Sequence, residues 1–212
     1  MDEGRGSGDR RRRPKPTLAE RREQRAAVTD PAEVLEAAAR FLEARPRSTA
    51  EVRRRLTRAG YDGALVTATV ERLGELGLLD DDAFARWWVE SRDRAKPRGE
   101  HALRAELGLK GVDRSVIDAV LGDRRDDAEI AAAARDEEPV SPDEAAAERL
   151  LRKKLAPILR EPDPRRRSQR AYAVLARSGF SPDVCGTVAQ RILREADAEA
   201  ADEDDLDTEP GA

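Results

Sequence analysis

Three observations on the sequence predict an all-α fold: its composition, a repeated glycine motif and the spacing of its apolar residues. The 212 residues are 40% charged and 39% hydrophobic, with aromatic residues at only 3%. A core built mostly from Leu, Val and Ala suits helices, whereas a β-sandwich needs β-branched and aromatic strand residues. The repeated motif and the helical spacing around it predict three tandem three-helix repeats. Such repeats form an elongated, curved body, and here we expect disordered charged termini.

The glycine motif centres on Gly60, Gly111 and Gly179. Each glycine follows a leucine by four residues and precedes an apolar residue and then Asp or Ser. A glycine just past a helix takes the left-handed conformation, and the apolar residue after it packs back on the third residue from the helix end. The Asp or Ser then caps the next helix. The leucines are Leu56, Leu107 and Leu175, and the capping residues are Asp62, Asp113 and Ser181.

A further helix precedes each motif and carries its own start signal. Asp30 and Ser141 are each followed by a proline and, three residues on, by a glutamate, which is a capping-box arrangement. The middle helix is headed by Asp80–Asp82, at the positive end of its dipole. We therefore predict a disordered basic extension over 1–27, repeats over 28–79, 80–123 and 141–195, an acidic linker over 124–140, and a disordered acidic tail over 196–212.

Charge is distributed unevenly along the chain, although the net charge is only −4. The last 18 residues carry 9 acidic and no basic side chains, whereas the segment 141–194 carries 12 basic and 6 acidic ones. A basic third repeat is one sign of an anionic partner, and the acidic tail could cover it and reduce non-specific binding to nucleic acid. Arginine excess alone is discounted, because GC-rich coding produces the same bias.

The sequence offers no catalytic, cofactor-binding or metal-ligating constellation, so we do not expect an enzyme. It has no glycine-rich phosphate loop, and Cys185 and His101 are the only residues of their types. Asp80, Asp81 and Asp82 could suggest a metal site, but consecutive carboxylates before a helix more often cap it. No apolar run reaches the length of a membrane helix, and no signal peptide follows the N-terminus. A cytoplasmic protein is expected.

The two tryptophans lie in the first helix of the middle repeat. Phe84, Trp87 and Trp88 fall at i, i+3 and i+4, which is core spacing. We therefore predict that both rings pack between repeats rather than forming an exposed platform for nucleic-acid bases. The opposite face, Asp82 to Arg94, alternates acidic and basic residues that pair at i, i+4, as on a solvated helix.

The stretch "LLDDDAFARWWVESRDRAKPRGEHALRAEL" resembles the signature of the RecX family, bacterial regulators of the RecA recombinase. An Asp-rich turn, Phe-Ala, Trp-Val, Arg and Lys-Pro-x-Gly follow one another in the family's order. The segment "FLEARPRSTAEVRRRL" is similar to the family's opening region. The matching signature residues include Asp80, Asp81, Phe84, Trp88, Arg92, Lys96, Pro97 and Gly99.

The resemblance implies a protein that binds the RecA filament on single-stranded DNA. Family members block filament extension and inhibit ATP hydrolysis, strand exchange and the co-protease role. It implies RecA as the partner, and single- or double-stranded DNA is a possible further one. From the residues themselves we expect no membrane segment, no cofactor and a monomeric chain. Ten basic residues are the candidates for contact with the partner or DNA: Arg86, Arg92, Lys96, Arg98, Lys153, Lys154, Arg165, Arg166, Arg167 and Arg170.

Two alternatives stay open at this point. A helical repeat protein could bind DNA or RNA directly, although the second helices of the motifs lack the Arg, Asn and Gln that read bases. A generic scaffold for another protein is the third possibility. A direct binder shifts naked DNA, a recombinase regulator acts mainly on the filament, and a scaffold does neither.

Overall fold

The computed structural model describes residues 17–206, with side chains for 17–200, and these residues form helices and no strand. The prediction of an all-α fold is confirmed. None of the described helices is long and apolar enough to cross a membrane. The eleven helices within this range are α1 (Leu18–Ala26), α2 (Pro31–Leu42), α3 (Thr49–Ala59), α4 (Gly63–Glu75), α5 (Asp81–Ala95), α6 (Glu100–Lys110), α7 (Arg114–Ala133), α8 (Pro142–Arg152), α9 (Leu155–Leu159), α10 (Pro164–Ala176) and α11 (Pro182–Leu206).

The helices form two compact units. Unit 1 holds the described residues up to Arg45 together with Val52–Leu78, and unit 2 holds Pro46–Glu51 and the described residues from Leu79 onwards. In unit 1, α2 packs on α4. Its buried residues follow helical spacing, because each helix turns one apolar face inward. They include Val34, Ala38, Val52, Leu56, Val66, Val70 and Leu73.

Unit 2 contains two apolar cores. The core of the second repeat is closed by α5, α6 and α7 and includes Phe84, Leu103, Leu107 and Leu121. The core of the third repeat joins α8, α10 and α11, with the short helix α9 at its side. Both cores are aliphatic for the most part, as the composition predicts.

The glycine turns have the predicted geometry. Gly60, Gly111 and Gly179 have φ of 104°, 81° and 84°, in the left-handed region. The N–H of the residue after each glycine donates to the carbonyl of the predicted leucine, at 3.4, 3.2 and 3.5 Å. The three leucines, Leu56, Leu107 and Leu175, are buried. Gly77 makes a fourth turn of this kind, with φ 67°.

The predicted caps are present at the helix starts. Asp62 and Asp113 accept backbone N–H bonds at the first turns of α4 and α7. Ser181, Asp30 and Ser141 do the same for α11, α2 and α8. Each acceptor satisfies a donor that the helix itself leaves unpaired, which is why the sequence places Asp or Ser at these positions.

The predicted disorder over 1–27 is wrong for residues 18–26, which form α1; residues 1–16 lie outside the described range. A reciprocal capping box between Thr17 and Glu20 starts this helix. Arg25 then donates to the carbonyl of Ala59 at 3.4 Å and lies 5.9 Å from the Tyr61 ring centroid. Helix α1 buries no side chain of its own and is held by contacts of this kind. Because its composition is mostly charged, the sequence did not predict a helix here.

Three other predicted boundaries also differ from the structure. Helix α7 continues to Ala133 through half of the predicted linker, and α11 continues to Leu206 through most of the predicted tail. Both extensions are rich in Ala and acidic residues, and alanine has the highest helix propensity. The first helix of the third repeat divides into α8 and α9, because Pro157 fits only in the first turn of a new helix.

Candidate functional site

Both tryptophans pack on the core of the second repeat. Phe84 is buried, and the half-buried rings of Trp87 and Trp88 lie 6.1 and 6.0 Å from it, centroid to centroid. The two indoles are 6.2 Å apart and steeply tilted. The predicted packing role is confirmed, but the rings rest on the core of their own repeat rather than between repeats.

Glu106, on α6, organises the polar side of this cluster. Its carboxylate accepts a hydrogen bond from Trp88 Nε1 at 2.9 Å and one from Arg92 Nε at 2.6 Å. Arg98 Nε lies 3.4 Å from the other carboxylate oxygen. The Arg92, Arg98 and Glu106 side chains are only 28%, 22% and 22% exposed. Two of the predicted contact arginines are therefore directed inward by an acidic residue that sequence reasoning missed.

Two cations also lie close to the Trp88 ring. The Arg92 guanidinium carbon is 4.3 Å and the Lys110 ammonium 4.7 Å from its ring centroid, both at cation–π distance. Lys110 Nζ in turn lies 2.9 Å from Glu51 Oε1. The indole, three cations and two carboxylates thus form one connected group, which we call the Trp88 cluster: Trp88, Arg92, Arg98, Glu106, Lys110 and Glu51.

The family-like opening segment contributes to this cluster through a capping box. Glu51 N–H donates to Ser48 Oγ at 3.2 Å, and Ser48 N–H donates to Glu51 at 3.3 Å. Ser48 Oγ donates to the carbonyl of Lys110 at 2.7 Å, and Ser48 is fully buried. Nearby, Thr49 N–H donates to Asp81 at 2.8 Å. The start of α3 is therefore fixed to α5 and α6 within unit 2.

The three consecutive aspartates each have a structural partner. Asp80 caps α5 by accepting from Asp82 N–H and Ala83 N–H, while Asp81 holds Thr49. Asp82 pairs with Arg86 at 2.7 Å, and Arg86 also reaches Asp123 at 2.6 Å. Hydrogen bonds with Asp82 and then Asp123 raise the pKa of Arg86. No group of His, Cys, Asp and Glu able to hold a metal ion occurs among the described residues.

The Lys-Pro-x-Gly turn divides into displayed and buried residues. Lys96 is exposed, whereas Pro97 is buried. Gly99 N–H donates to the carbonyl of Ser178 at 3.1 Å, which brings the turn against the third repeat. A Cβ on Gly99 would lie 2.2 Å from the carbonyl oxygen of Gly179, and there is no room for one. The turn is thus a close backbone contact between repeats 2 and 3.

Ion pairs strengthen the same contact. Arg124 donates to Asp93 at 2.9 Å and to Asp143 at 2.8 Å, and its side chain is only 11% exposed. Burial lowers the pKa of Arg124, but hydrogen bonds to the two carboxylates outweigh burial and raise it. Asp143 also accepts from Glu100 N–H at 2.9 Å. We call this group, with Gly99 and Gly179, the repeat 2–3 joint.

The basic residues of the third repeat are arranged differently. Lys153, Lys154 and Arg165 are exposed, and none has an ion-pair partner among the side chains of residues 17–200. Arg166 is 71% exposed with Asp163 3.7 Å away. Arg167 is 19% exposed and pairs with Asp197 at 2.7 Å. Arg170 is 57% exposed and reaches the buried Glu161 at 2.7 Å.

The ten candidates therefore do not meet at one site. Close carboxylates hold Arg86, Arg92, Arg98 and Arg167. Four others are exposed and have no ion-pair partner among the described side chains: Lys96, Lys153, Lys154 and Arg165. Glu106 could have been noticed, because it sits among the core leucines of α6.

Two segments of this chain match the domain models of one protein family. Residues 35–73 match "RecX, first three-helix domain" and residues 80–121 match "RecX, second three-helix domain". A Regulatory protein RecX of Mycobacterium avium is 38% identical over 157 residues, covering 74% of this chain and 83% of the relative. The Regulatory protein RecX of Chlorobium phaeobacteroides is 33% identical over 168 residues, covering 79% and 99%.

Solved structures share the fold. A crystal structure of regulatory protein RecX aligns over 82% of this chain and 73% of the solved chain, with a TM-score of 0.60 at 20% identity. That of RecX from Lactobacillus salivarius aligns over 76% and 95%, with a TM-score of 0.57 at 19% identity. Because the sequence relatives cover most of both chains at more than 30% identity, this chain belongs to the RecX family of regulatory proteins.

Proposed function

We propose that this protein binds the RecA filament on single-stranded DNA and mainly inhibits its extension, ATP hydrolysis, strand exchange and co-protease activity. The observation that supports it most strongly is the 38% identity over 157 residues to a protein named Regulatory protein RecX. In this proposal the chain works by binding, as a cytoplasmic monomer, and performs no catalysis of its own.

In this proposal, exposed basic side chains form the surface that contacts the filament. Lys153, Lys154 and Arg165 keep their charge available, and Lys96 adds a further exposed ammonium. An acidic protein surface or DNA phosphate attracts such groups at low desolvation cost, and several weak contacts add up along a repetitive filament. Arg92 and Arg98 serve instead to fix the helices through Glu106, so they support the surface indirectly.

The experiment that tests the proposal is DNA-stimulated ATP hydrolysis by the RecA of the same organism. The protein is added well below the recombinase concentration, on single-stranded DNA. Inhibition at that ratio is the expected result, because one bound molecule stops growth of a long filament. No inhibition at equimolar protein, with helical content intact by circular dichroism, would contradict the proposal.

Direct nucleic-acid binding is a second candidate, favoured by the charge of one segment. Residues 153–177 hold eight basic and two acidic side chains. Binding of naked DNA by this segment would weaken steeply with salt, since each neutralised phosphate releases counterions. A shift of naked single-stranded DNA at physiological salt, together with no effect on the RecA ATPase beyond DNA sequestration, would favour this function over the first.

A further inference from the structure

A groove of about 650 Å³ lies between α9 and α10 in unit 2. Aliphatic and polar side chains line this groove, and the two kinds are distributed unequally between the two helices. Aliphatic groups come from both helices, at Pro157, Ile158, Ala173 and Val174, while the polar groups come from α10 alone, at Arg166, Gln169, Arg170 and Arg177. The spacing of the polar residues at three, four and seven positions places them along one side of α10.

The groove is strongly positive. None of its eight lining residues is acidic. Arg177 is exposed and has no ion-pair partner among the side chains of residues 17–200, and Arg166 is 71% exposed with Asp163 3.7 Å away. Arg170 is held in place by Glu161 at 2.7 Å yet stays 57% exposed. Three guanidinium groups are thus presented beside an apolar surface.

This combination fits a peptide better than a nucleic acid. Single-stranded nucleic acid is bound by basic grooves in which aromatic side chains stack on the bases, and no aromatic residue lines this groove. Aliphatic side chains next to arginines instead match a segment that alternates apolar and acidic residues, because carboxylates pair with guanidinium in two-point hydrogen bonds.

We propose that the α9–α10 groove is a docking site for an acidic, amphipathic peptide segment of a partner protein. Leucine-like side chains of the segment pack on Pro157 and Val174, and its carboxylates pair with Arg166, Arg170 and Arg177. The site is independent of the proposed action on the filament, since it requires only a partner with this sequence character. The groove is small, so we expect a Kd on the order of 10 µM.

The test uses fluorescence anisotropy with the full chain and a fluorescein-labelled synthetic peptide of sequence Glu-Asp-Leu-Leu-Asp-Glu-Leu-Leu-Asp-Glu. The variant R166E/R177E is expected to weaken binding at least tenfold. The matched control R94E/R125E makes the same change in net charge on exposed arginines of other helices and is expected to bind as the unchanged protein does. A second peptide with every Leu replaced by Ser keeps the charge and should bind at least fivefold more weakly.

Four outcomes would overturn the proposal. Equal loss in R166E/R177E and R94E/R125E would mean general charge attraction, and equal binding of the Leu and Ser peptides would mean that the apolar floor is unused. Binding of a twenty-nucleotide oligo(dT), lost in R166E/R177E while the peptide does not bind, would assign the groove to nucleic acid. Peptide binding that appears only in D202N/D204N/D205N would assign it to the chain's own acidic tail.

Discussion

The Trp88 cluster and the segment 153–177, which contains α9 and α10, are both rich in basic residues, yet they use them in opposite ways. In the cluster, Arg92 and Arg98 are less than 30% exposed and converge on Glu106. In the segment 153–177, Lys154 and Arg165 are exposed and have no carboxylate partner among the side chains of residues 17–200. Whether a basic residue is available to a partner depends on an acidic residue of a neighbouring helix being within reach, and a count of basic residues does not show this.

The largest effect is expected from Gly99→Ala in the repeat 2–3 joint. The added Cβ would lie 2.2 Å from the backbone oxygen of Gly179, so two backbone segments must separate. Gly99 has an ordinary φ of −72°, and the cost is therefore steric. We expect the free energy of unfolding to fall by more than about 3 kcal/mol, measured by urea denaturation.

The matched control for this prediction is Gly108→Ala. Gly108 lies within α6, and a Cβ there meets nothing within 4 Å. This change should stabilise the protein by about 0.5–1 kcal/mol, because alanine loses less backbone entropy than glycine in a helix. A similar destabilisation by both substitutions would show that the close contact at Gly99 is not the cause.

Arg124→Ala should have the next largest effect. It leaves Asp93 and Asp143 without the guanidinium that bridges them, and the bridge is mostly buried, with Arg124 11% exposed. We expect a loss of about 3 kcal/mol in urea denaturation. Its neighbour Arg125 is exposed, so Arg125→Ala is the control and should change stability by less than about 0.5 kcal/mol. Equal effects of the two would argue against a structural role for the bridge.

Glu106→Ala tests the Trp88 cluster. The change removes the acceptor of Trp88 Nε1 and the partner of two arginines, and we expect a loss of about 2 kcal/mol. Tryptophan fluorescence should shift as well, since the indole loses its hydrogen bond. Glu90→Ala is the control. Glu90 is 69% exposed and pairs with Arg94 at the long distance of 4.0 Å, so we expect this pair to contribute less than about 0.5 kcal/mol. An unshifted emission spectrum in Glu106→Ala would contradict the assigned contact.

The smallest effect on stability is expected from Lys153→Ser with Lys154→Ser. Both side chains are exposed and unpaired within the described residues, so their removal should change the free energy of unfolding by less than about 0.5 kcal/mol. Thermal unfolding followed by circular dichroism measures it. A loss comparable with that of Glu106→Ala would mean that Lys153 and Lys154 contribute to stability as the residues of the Trp88 cluster do, which contradicts the difference between the two regions.

Local chemistry explains how much of the fold the sequence predicts. The glycine turns and the caps at Asp62 and Ser181 depend on residues within one turn of each other, and the sequence predicts them correctly. The extent of α7 and α11 is missed because strongly acidic segments resemble disordered ones even when their alanine content favours a helix.

The candidate site is predicted less well, since it depends on pairs that are distant in sequence. Arg124 meets Asp143 from 19 residues away, and Ser48 meets Lys110 from 62. Nothing in the local sequence distinguishes Arg98, which is directed toward Glu106, from Arg165, which is displayed. The signature contains residues that the fold requires, such as Gly99 and Arg92, together with the exposed Lys96, and only the structure separates the two kinds.

The most direct test of the central claim is inhibition of RecA ATP hydrolysis on single-stranded DNA by the variant K153E/K154E/R165E. We expect an unfolding midpoint close to that of the unchanged protein and at least a tenfold higher concentration for half-inhibition. Full inhibition by this folded variant would contradict the claim that the displayed basic residues of the third repeat contact the filament.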